Sequence, residues 1–296
     1  MEIKHKTLLL LILSMVFTLQ LSAQIQVTTR NEASNVIFDV NLEKEGSYTL
    51  VLKFSELRGC KIPLGNTTII PIKGGYNSAV CKLTKEGNVS TSYRYTYTFH
   101  RGKYNAKPSM DYPYILPASE GKALHTSRFT NIDHTLGKAD VDSIMGIVFR
   151  YAEADTVYAI RSGKVVEVEH SKRDRIEPEQ GVSMYDRSSR NIITIEHGDG
   201  TIVRYTCITS AQTLVKLGDR IIAGQPLAVL GQEKDFPQIG ISISYLTKEL
   251  KHKIIMPMFY TEKGLSELNF DEEYHSTSTR DIIEKELTKK EKKNLK

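Results

Sequence analysis

Cysteine is scarce in this 296-residue chain, with three in all, so a disulfide-dense scaffold is excluded and the fold must rest on a hydrophobic core. Charge of one sign is nearly absent as an excess. Forty Lys+Arg against 35 Asp+Glu leave +5, without the dense basic patch that nucleic-acid binding needs. Long hydrophobic runs are confined to the first twenty residues. With 40% hydrophobic and 25% charged residues, 19 Gly and 9 Pro, a disordered, collagen-like or multi-span membrane chain is excluded as well. The length suits roughly two domains of about 100–200 residues each. Eight His and three Cys are chemically enough for a zinc site, so their positions matter more than their number.

Residues 1–23 join a Lys-bearing start to an apolar run from Leu8 to about Leu19 and then Leu21-Ser22-Ala23, the pattern of a Sec-type signal peptide. The run is shorter than the ~20 residues of a spanning helix, so no transmembrane span is expected in the mature chain. No cysteine follows the cleavage point, which argues against a lipid anchor. Loss of Glu2, Lys4 and Lys6 gives a mature chain of net +4, expected to fold outside the cytoplasm, in the periplasm or cell envelope.

An all-β fold is expected from the alternating runs. Val36–Val40, Tyr48–Leu52 and Ser92–Phe99 read as half-buried strands, and Tyr93, Tyr95 and Tyr97 share one strand face, where sheet packing is the default and an aromatic ligand platform the alternative. Residues 24–108 are expected to form an N-terminal β-sandwich-like domain. Cys60 and Cys81 lie within it, either as a bridge closing a loop of about 20 residues or as two buried thiols. The proline-interrupted stretch Lys107–Pro117 follows, expected to run extended between domains.

Beyond it, Gly-marked turns at Gly163, Gly198, Gly200, Gly218, Gly224 and Gly231 separate short apolar strands, the pattern of a compact antiparallel sheet or open barrel over residues 109–250. His197-Gly198-Asp199-Gly200 between two apolar runs is the clearest hairpin. Residues 251–296 read as an extension whose charged end, from Ser276, offers only Ile282, Ile283 and Leu287 as an apolar stripe. A frayed, solvated helix is expected there.

In order and spacing, Tyr112–Pro117, Asp155–Val166, Asn191–Thr201, Arg204-Tyr205, Val215–Pro226 and Val229–Gly231 resemble the lysostaphin/LytM-type zinc peptidases that cleave peptidoglycan cross-links. The resemblance covers about residues 111–248 and implies an antiparallel, open-barrel domain with a groove over one sheet. In that family the zinc is held by a His, an Asp and the second His of a His-x-His strand, leaving a coordination position for an activated water. A further His in a Tyr-x-His segment handles protons or the oxyanion.

Measured against that pattern, this chain is degenerate. The Asp position holds Val148, the His-x-His strand falls on Gly240-Ile241-Ser242, and the Tyr-x-His segment is Tyr205-Thr206-Cys207. The first ligand falls on His134 or, counted four residues before the Asp position, on Ile144. Loss of donors that bind the metal directly exceeds the 10–100-fold cost of outer-shell changes. The resemblance therefore implies an inactive relative with no cofactor, a cell-envelope protein that binds peptidoglycan or regulates a cell-wall hydrolase. The alternatives are a zinc endopeptidase with a rearranged ligand set drawn from His134, His125 and Asp133, and a structural subunit of an envelope complex. His197 is read as structural, His170 and His252 as solvated, and Cys207 as a thiol filling the space of the catalytic imidazole. Arg173, Arg175, Tyr185 and Arg187, in the polar insertion 171–190, are the expected groove rim, because Arg forks carboxylates.

Overall fold

A computed structural model describes residues 25–63, 65–87, 89–133, 138–170, 191–208, 210–231 and 237–295. The signal-peptide reading, His134 and the rim residues Arg173, Arg175, Tyr185 and Arg187 lie outside the described residues. The architecture is all-β, with two short helices near the C-terminus among the described residues.

The N-terminal sheet joins β1 (Ile25–Glu32), β2 (Asn35–Arg58), β3 (Cys60–Lys61), β4 (Thr67–Lys85) and β5 (Ser92–Arg101) in the order β1-β2-β4-β3, with β5 also on β2. Phe38, Val40 and Leu42 face inward in the first half of β2, and Leu50, Leu52 and Phe54 in the second. A straight strand would hold Phe38 and Phe54 about 53 Å apart. Their ring centroids are 5.6 Å apart, because β2 doubles over its own core through the register breaks between Leu42 and Ser47. Gly46 sits in that break at φ +100°, where a Cβ would strike Val166 and Glu196 of the second sheet, so the bend also sets how the two sheets meet. Tyr93 and Tyr95 pack on Phe38, at 5.9 and 5.1 Å, so two rings of the tyrosine stripe belong to the core.

Cys60 and Cys81 are both buried free thiols, and burial raises the pKa of each. Cys60 pairs with Lys85, four residues along β4 from Cys81, which places the two cysteines about 13 Å apart along the ladder. A bridge needs Cα atoms within about 7 Å. Register therefore decides for the thiol alternative.

The second core lies in the C-terminal part. Its main sheet runs β14 (Arg220–Ile221), β10 (Gly163–Glu169), β11 (Asn191–Glu196), β12 (Ile202–Ile208), β16 (Gln238–Leu246), β8 (Lys138–Tyr151), β7 (Ala123–Asp133), β20 (Glu273–His275), with β17 (His252–Ile255) added on β16. Ile147, Phe149, Ile193, Ile195, Val203, Tyr205, Ile239, Ile241 and Ile243 alternate onto one face and are nearly all fully buried. Two small sheets complete this core: β9 (Thr156–Tyr158) with β13 (Ser210–Thr213) and β15 (Pro226–Leu230), and β6 (Pro113–Ile115) with β18 (Met258–Thr261) and β19 (Gly264–Ser266). The β11–β12 connection is the hairpin expected at His197–Gly200, closed by His197 N–H donating to Thr201 O at 2.9 Å.

The two sheets are joined by a polar seam. Arg101 forks Glu167 at 2.9 and 3.0 Å and also donates to Tyr48 Oη, Thr194 Oγ1 donates to the same carboxylate, and the Ser47 N–H donates to Glu196 at 2.7 Å. Gly102 packs on Leu246 and Ile202 beside this seam, so the N-terminal sheet covers one end of the polar face of the main sheet.

The charged C-terminal segment departs from expectation. It forms α1 (Arg280–Glu284) and α2 (Lys289–Asn294), capped by Thr279 and Thr288, and neither helix buries a residue. Yet the segment between them docks, with Leu287 buried and Glu286 bound to Arg161. Helices of five and six residues do not persist alone in water. What holds them is a tertiary ion pair that local charge density conceals.

Candidate functional site

The face of the main sheet opposite the core carries the positions that the resemblance marks. Strand pairing places them in rows, because residues directly opposite share a face and so do residues two apart on a strand. One row reads Ser127, Val148, Gly240, Thr206 across β7, β8, β16 and β12. Beside it Phe129 stands opposite Gly146, a Cβ on Gly146 would fall 3.0 Å from Ser242 Cα, and Ser242 stands opposite Arg204 in a row that continues to Thr194 on β11 and Glu167 on β10. Val148, Gly240 and Ser242, far apart in sequence, are thus neighbours on one surface. The backbone of Cys207 and Asp133 lies in β12 and β7. His125 also reaches this face, opposite Arg150, one row further out.

The chemistry of that surface does not fit a zinc ion. Valine and glycine carry no donor, and serine is a poor ligand beside imidazole or carboxylate. Geometry adds a second obstacle. A Cβ at Gly240 would fall 2.8 Å from Thr206 Oγ1 and 3.3–3.4 Å from two ring atoms of Phe129, so the phenyl ring lies where an imidazole from position 240 would have to start. Thr206 Oγ1 donates to the Gly240 carbonyl at 3.2 Å, tying the two strands together there. Gly146 allows the close strand approach beside it, since a Cβ there would fall 2.0 Å from Ile241 O. Among the described residues, no cluster of three or more His, Cys, Asp or Glu could hold a metal.

The corner behind this face is built differently. Arg161, 2% exposed, sends Nε and Nη2 to Glu286 at 2.6–3.2 Å and Nη1 to Asp199 at 2.9 Å and Tyr114 Oη at 3.0 Å. Its guanidinium carbon lies 3.7 Å from the Tyr112 ring centroid. Burial works against the charge, but the bond to Glu286 and the neighbouring anions outweigh it and raise the Arg161 pKa. Asp199 is likewise opposed by burial, yet the Thr201 hydroxyl and N–H and the Arg161 charge hold it below the usual carboxylate range.

Beside this corner, His197 is 3% exposed and its Nδ1–H donates to the Ser162 carbonyl at 2.8 Å, the tautomer a carbonyl acceptor requires. Burial, reinforced by the Arg161 charge, pushes its pKa down to about 3, so the ring is neutral at pH 7. Nε2 is the one buried side-chain nitrogen or oxygen without a partner among the described residues. A cleft of about 850 Å³ between the two sheets is lined by Lys73, Lys103, Lys164 and His197, and Lys164 reaches across to Glu45 at 2.9 Å. Val148, Gly240 and Ser242 lie outside it.

Reading the sequence missed Phe129, the Arg161–Glu286 pair and the arginines of the polar face. The strand Ile202-Val203-Arg204-Tyr205 carried a signal in its alternation, since the buried Val203 and Tyr205 force Arg204 outward.

Residues 142–250, a little over a third of the chain, match Peptidase family M23. No curated protein matches. Among solved structures, a chain from Ruminococcus gnavus described as a glycyl-glycine endopeptidase lytM is 14% identical, with 49% of this chain and 56% of that one covered and a TM-score of 0.31. This chain thus spans little more than half of that one. The SpoIIQ–SpoIIIAH pore-forming complex gives 16% identity over 49% of this chain and 89% of that one, TM-score 0.30. Helicobacter pylori Csd3 gives 9% identity over 92% and 77%, TM-score 0.33. No helix among the described residues is long and apolar enough to cross a membrane.

Proposed function

We propose that the M23-type domain is a non-catalytic binding module, exported to the cell envelope, that engages peptidoglycan or a cell-wall hydrolase without cutting. One observation carries this reading: the row Val148–Gly240–Thr206 has no metal donor, and Phe129 packs onto it where a histidine would stand. A metallopeptidase needs the metal to lower the pKa of its water toward ~7, and the residues in this row do not supply the ligands for that. Retention of the scaffold beside loss of its donors supports a role in binding.

The test is metal analysis of the purified, untagged protein together with incubation on insoluble peptidoglycan. The expected result is no tightly held zinc, no chelator-sensitive solubilisation and co-sedimentation with the polymer. One zinc equivalent with release of soluble fragments would establish the rearranged-ligand endopeptidase instead. A folded protein that stays in the supernatant would point to a structural subunit.

A further inference from the structure

The cleft between the two sheets lies apart from Val148, Gly240 and Ser242, and its charge is not balanced. Among the described residues, Lys73, Lys103, Lys164 and Arg220 line it against the carboxylates of Glu45 and Glu196. Lys164 holds Glu45 at 2.9 Å, and Arg220 holds Glu291 at 3.0 Å. The ammonium groups of Lys73 and Lys103 make no hydrogen bond or ion pair among the described residues. Glu196 accepts the Ser47 N–H at 2.7 Å, so one carboxylate stands against two unpaired ammonium groups.

Strand pairing brings those two lysines to either side of Ser47. Lys73 stands directly opposite it on β4, and on its other side the Gly102 N–H donates to the Ser47 carbonyl at 2.7 Å, one residue before Lys103. Two strand spacings of ~4.8 Å put Lys73 and Gly102 about 10 Å apart. Each lysine carries its charge on a flexible four-carbon stem, so both ammonium groups can close on one anion between them. The stem of Lys103 lies along the His197–Gly200 hairpin, since a Cβ on Gly200 would fall 3.4 Å from its Cβ and 3.6 Å from its Cδ. The same hairpin sets His197 in the cleft wall, with Nδ1–H on the Ser162 carbonyl, so its partnerless Nε2 can only accept. Glu196, next along, is a second acceptor in that wall.

These groups select a ligand. Paired ammonium point charges suit the several oxygens of a phosphate, whereas a carboxylate is best met by a planar guanidinium fork. Acceptors in the wall call for hydroxyl donors. A volume of about 850 Å³ is far more than a bare phosphate fills and falls in the usual range of small-molecule sites, ~300–1,000 Å³.

We propose that this cleft binds a phosphorylated, hydroxyl-bearing molecule, a sugar or polyol phosphate, with Lys73 and Lys103 on the phosphate and the hydroxyls turned to the Glu196 and His197 wall. The site lies between the N-terminal sheet and the stretch that matches Peptidase family M23, and it does not depend on whether the donor-poor face binds or cuts.

Calorimetric titration of the purified full chain with glucose 6-phosphate and with glycerol 3-phosphate tests it, glucose and inorganic phosphate serving as controls. Both phosphorylated probes are expected to bind about tenfold or more tightly than either control, and less tightly as salt rises. Lys73→Gln and Lys103→Gln are each expected to weaken that binding about tenfold. Both side chains are exposed, so unchanged thermal melts are expected and separate lost binding from lost folding. No saturable binding of either phosphorylated probe at millimolar concentration would overturn the proposal, and so would full affinity in the double variant. Equal affinity for inorganic phosphate would overturn it in favour of a bare anion site, and equal affinity for glucose would show that the lysine charges are not read.

Discussion

Arg161 and Gly240 both lie in the stretch that matches Peptidase family M23, yet the corner around the first and the face around the second treat charge in opposite ways. At the corner a cation is almost wholly buried and is matched by Glu286, Asp199 and two tyrosines. On the face two arginines, Arg150 and Arg204, stand exposed without partners among the described residues, beside a row that carries no His, Cys, Asp or Glu. Burial makes an unmatched charge expensive, so the corner must be fully satisfied for the chain to fold, whereas an exposed face can keep unpaired charge for a ligand. The corner is therefore committed to stability, and the face remains available for recognition.

The sharpest way to break this contrast is Arg161→Leu. It strands Glu286 and Asp199 and frees the C-terminal segment, and should cost about 3–5 kcal/mol by urea unfolding. The same charge removal at Arg204 should stay within about 0.5 kcal/mol. Equal losses at both sites would erase the distinction. Arg101→Ala, which abandons the seam carboxylate Glu167, is expected to cost about 2–3 kcal/mol, less than at the corner because that pair is partly exposed. A separation into two unfolding transitions would further show that the seam couples the sheets. Gly240→Ala should cost about 1–2 kcal/mol through contact with Thr206 and Phe129, and Phe129→Ala in the same chain should recover part of it. Full tolerance of Gly240→Ala would mean that the face is roomier than its geometry states.

The last contrast is in pH. His197 binds a proton near pH 6.5 when unfolded but only near 3 when folded, so the unfolded state takes up more protons between those values. Stability from the neutral ring is complete above about pH 6.5 and is lost as pH falls toward 3. Asp199 and Glu291, both held below their ordinary values, add losses of the same sign at the acid end. His197→Asn should flatten the slope of urea midpoint against pH over that range. An unchanged slope would show that the carboxylates alone govern it.

How much of this was legible depended on distance along the chain. The hairpin at His197–Gly200 and the inward Tyr205 could be read because period-two alternation and glycine turns are local properties. Val148, Gly240 and Ser242 stood out only through the family resemblance, which rests on order and spacing. That they share a face, with the Phe129 ring against Gly240, required the registers of three strand pairs. The C-terminal segment was read as solvated because nothing near Glu286 in sequence marks it, and its partner lies 125 residues away.

Residue types and local periodicity by themselves determined an all-β chain, and the order and spacing of its turn motifs carried the LytM resemblance. Tertiary structure alone decided that β2 doubles over its own core, that Cys60 and Cys81 stay apart as thiols, and that a charged tail closes a buried arginine. It also decided that the row Val148–Gly240–Thr206 lies between Arg150 and Arg204, which have no partner among the described residues. The physical reason is common to all four. Strand register and burial are set by contacts between residues far apart in sequence, and the cost or use of a charge follows from what surrounds it.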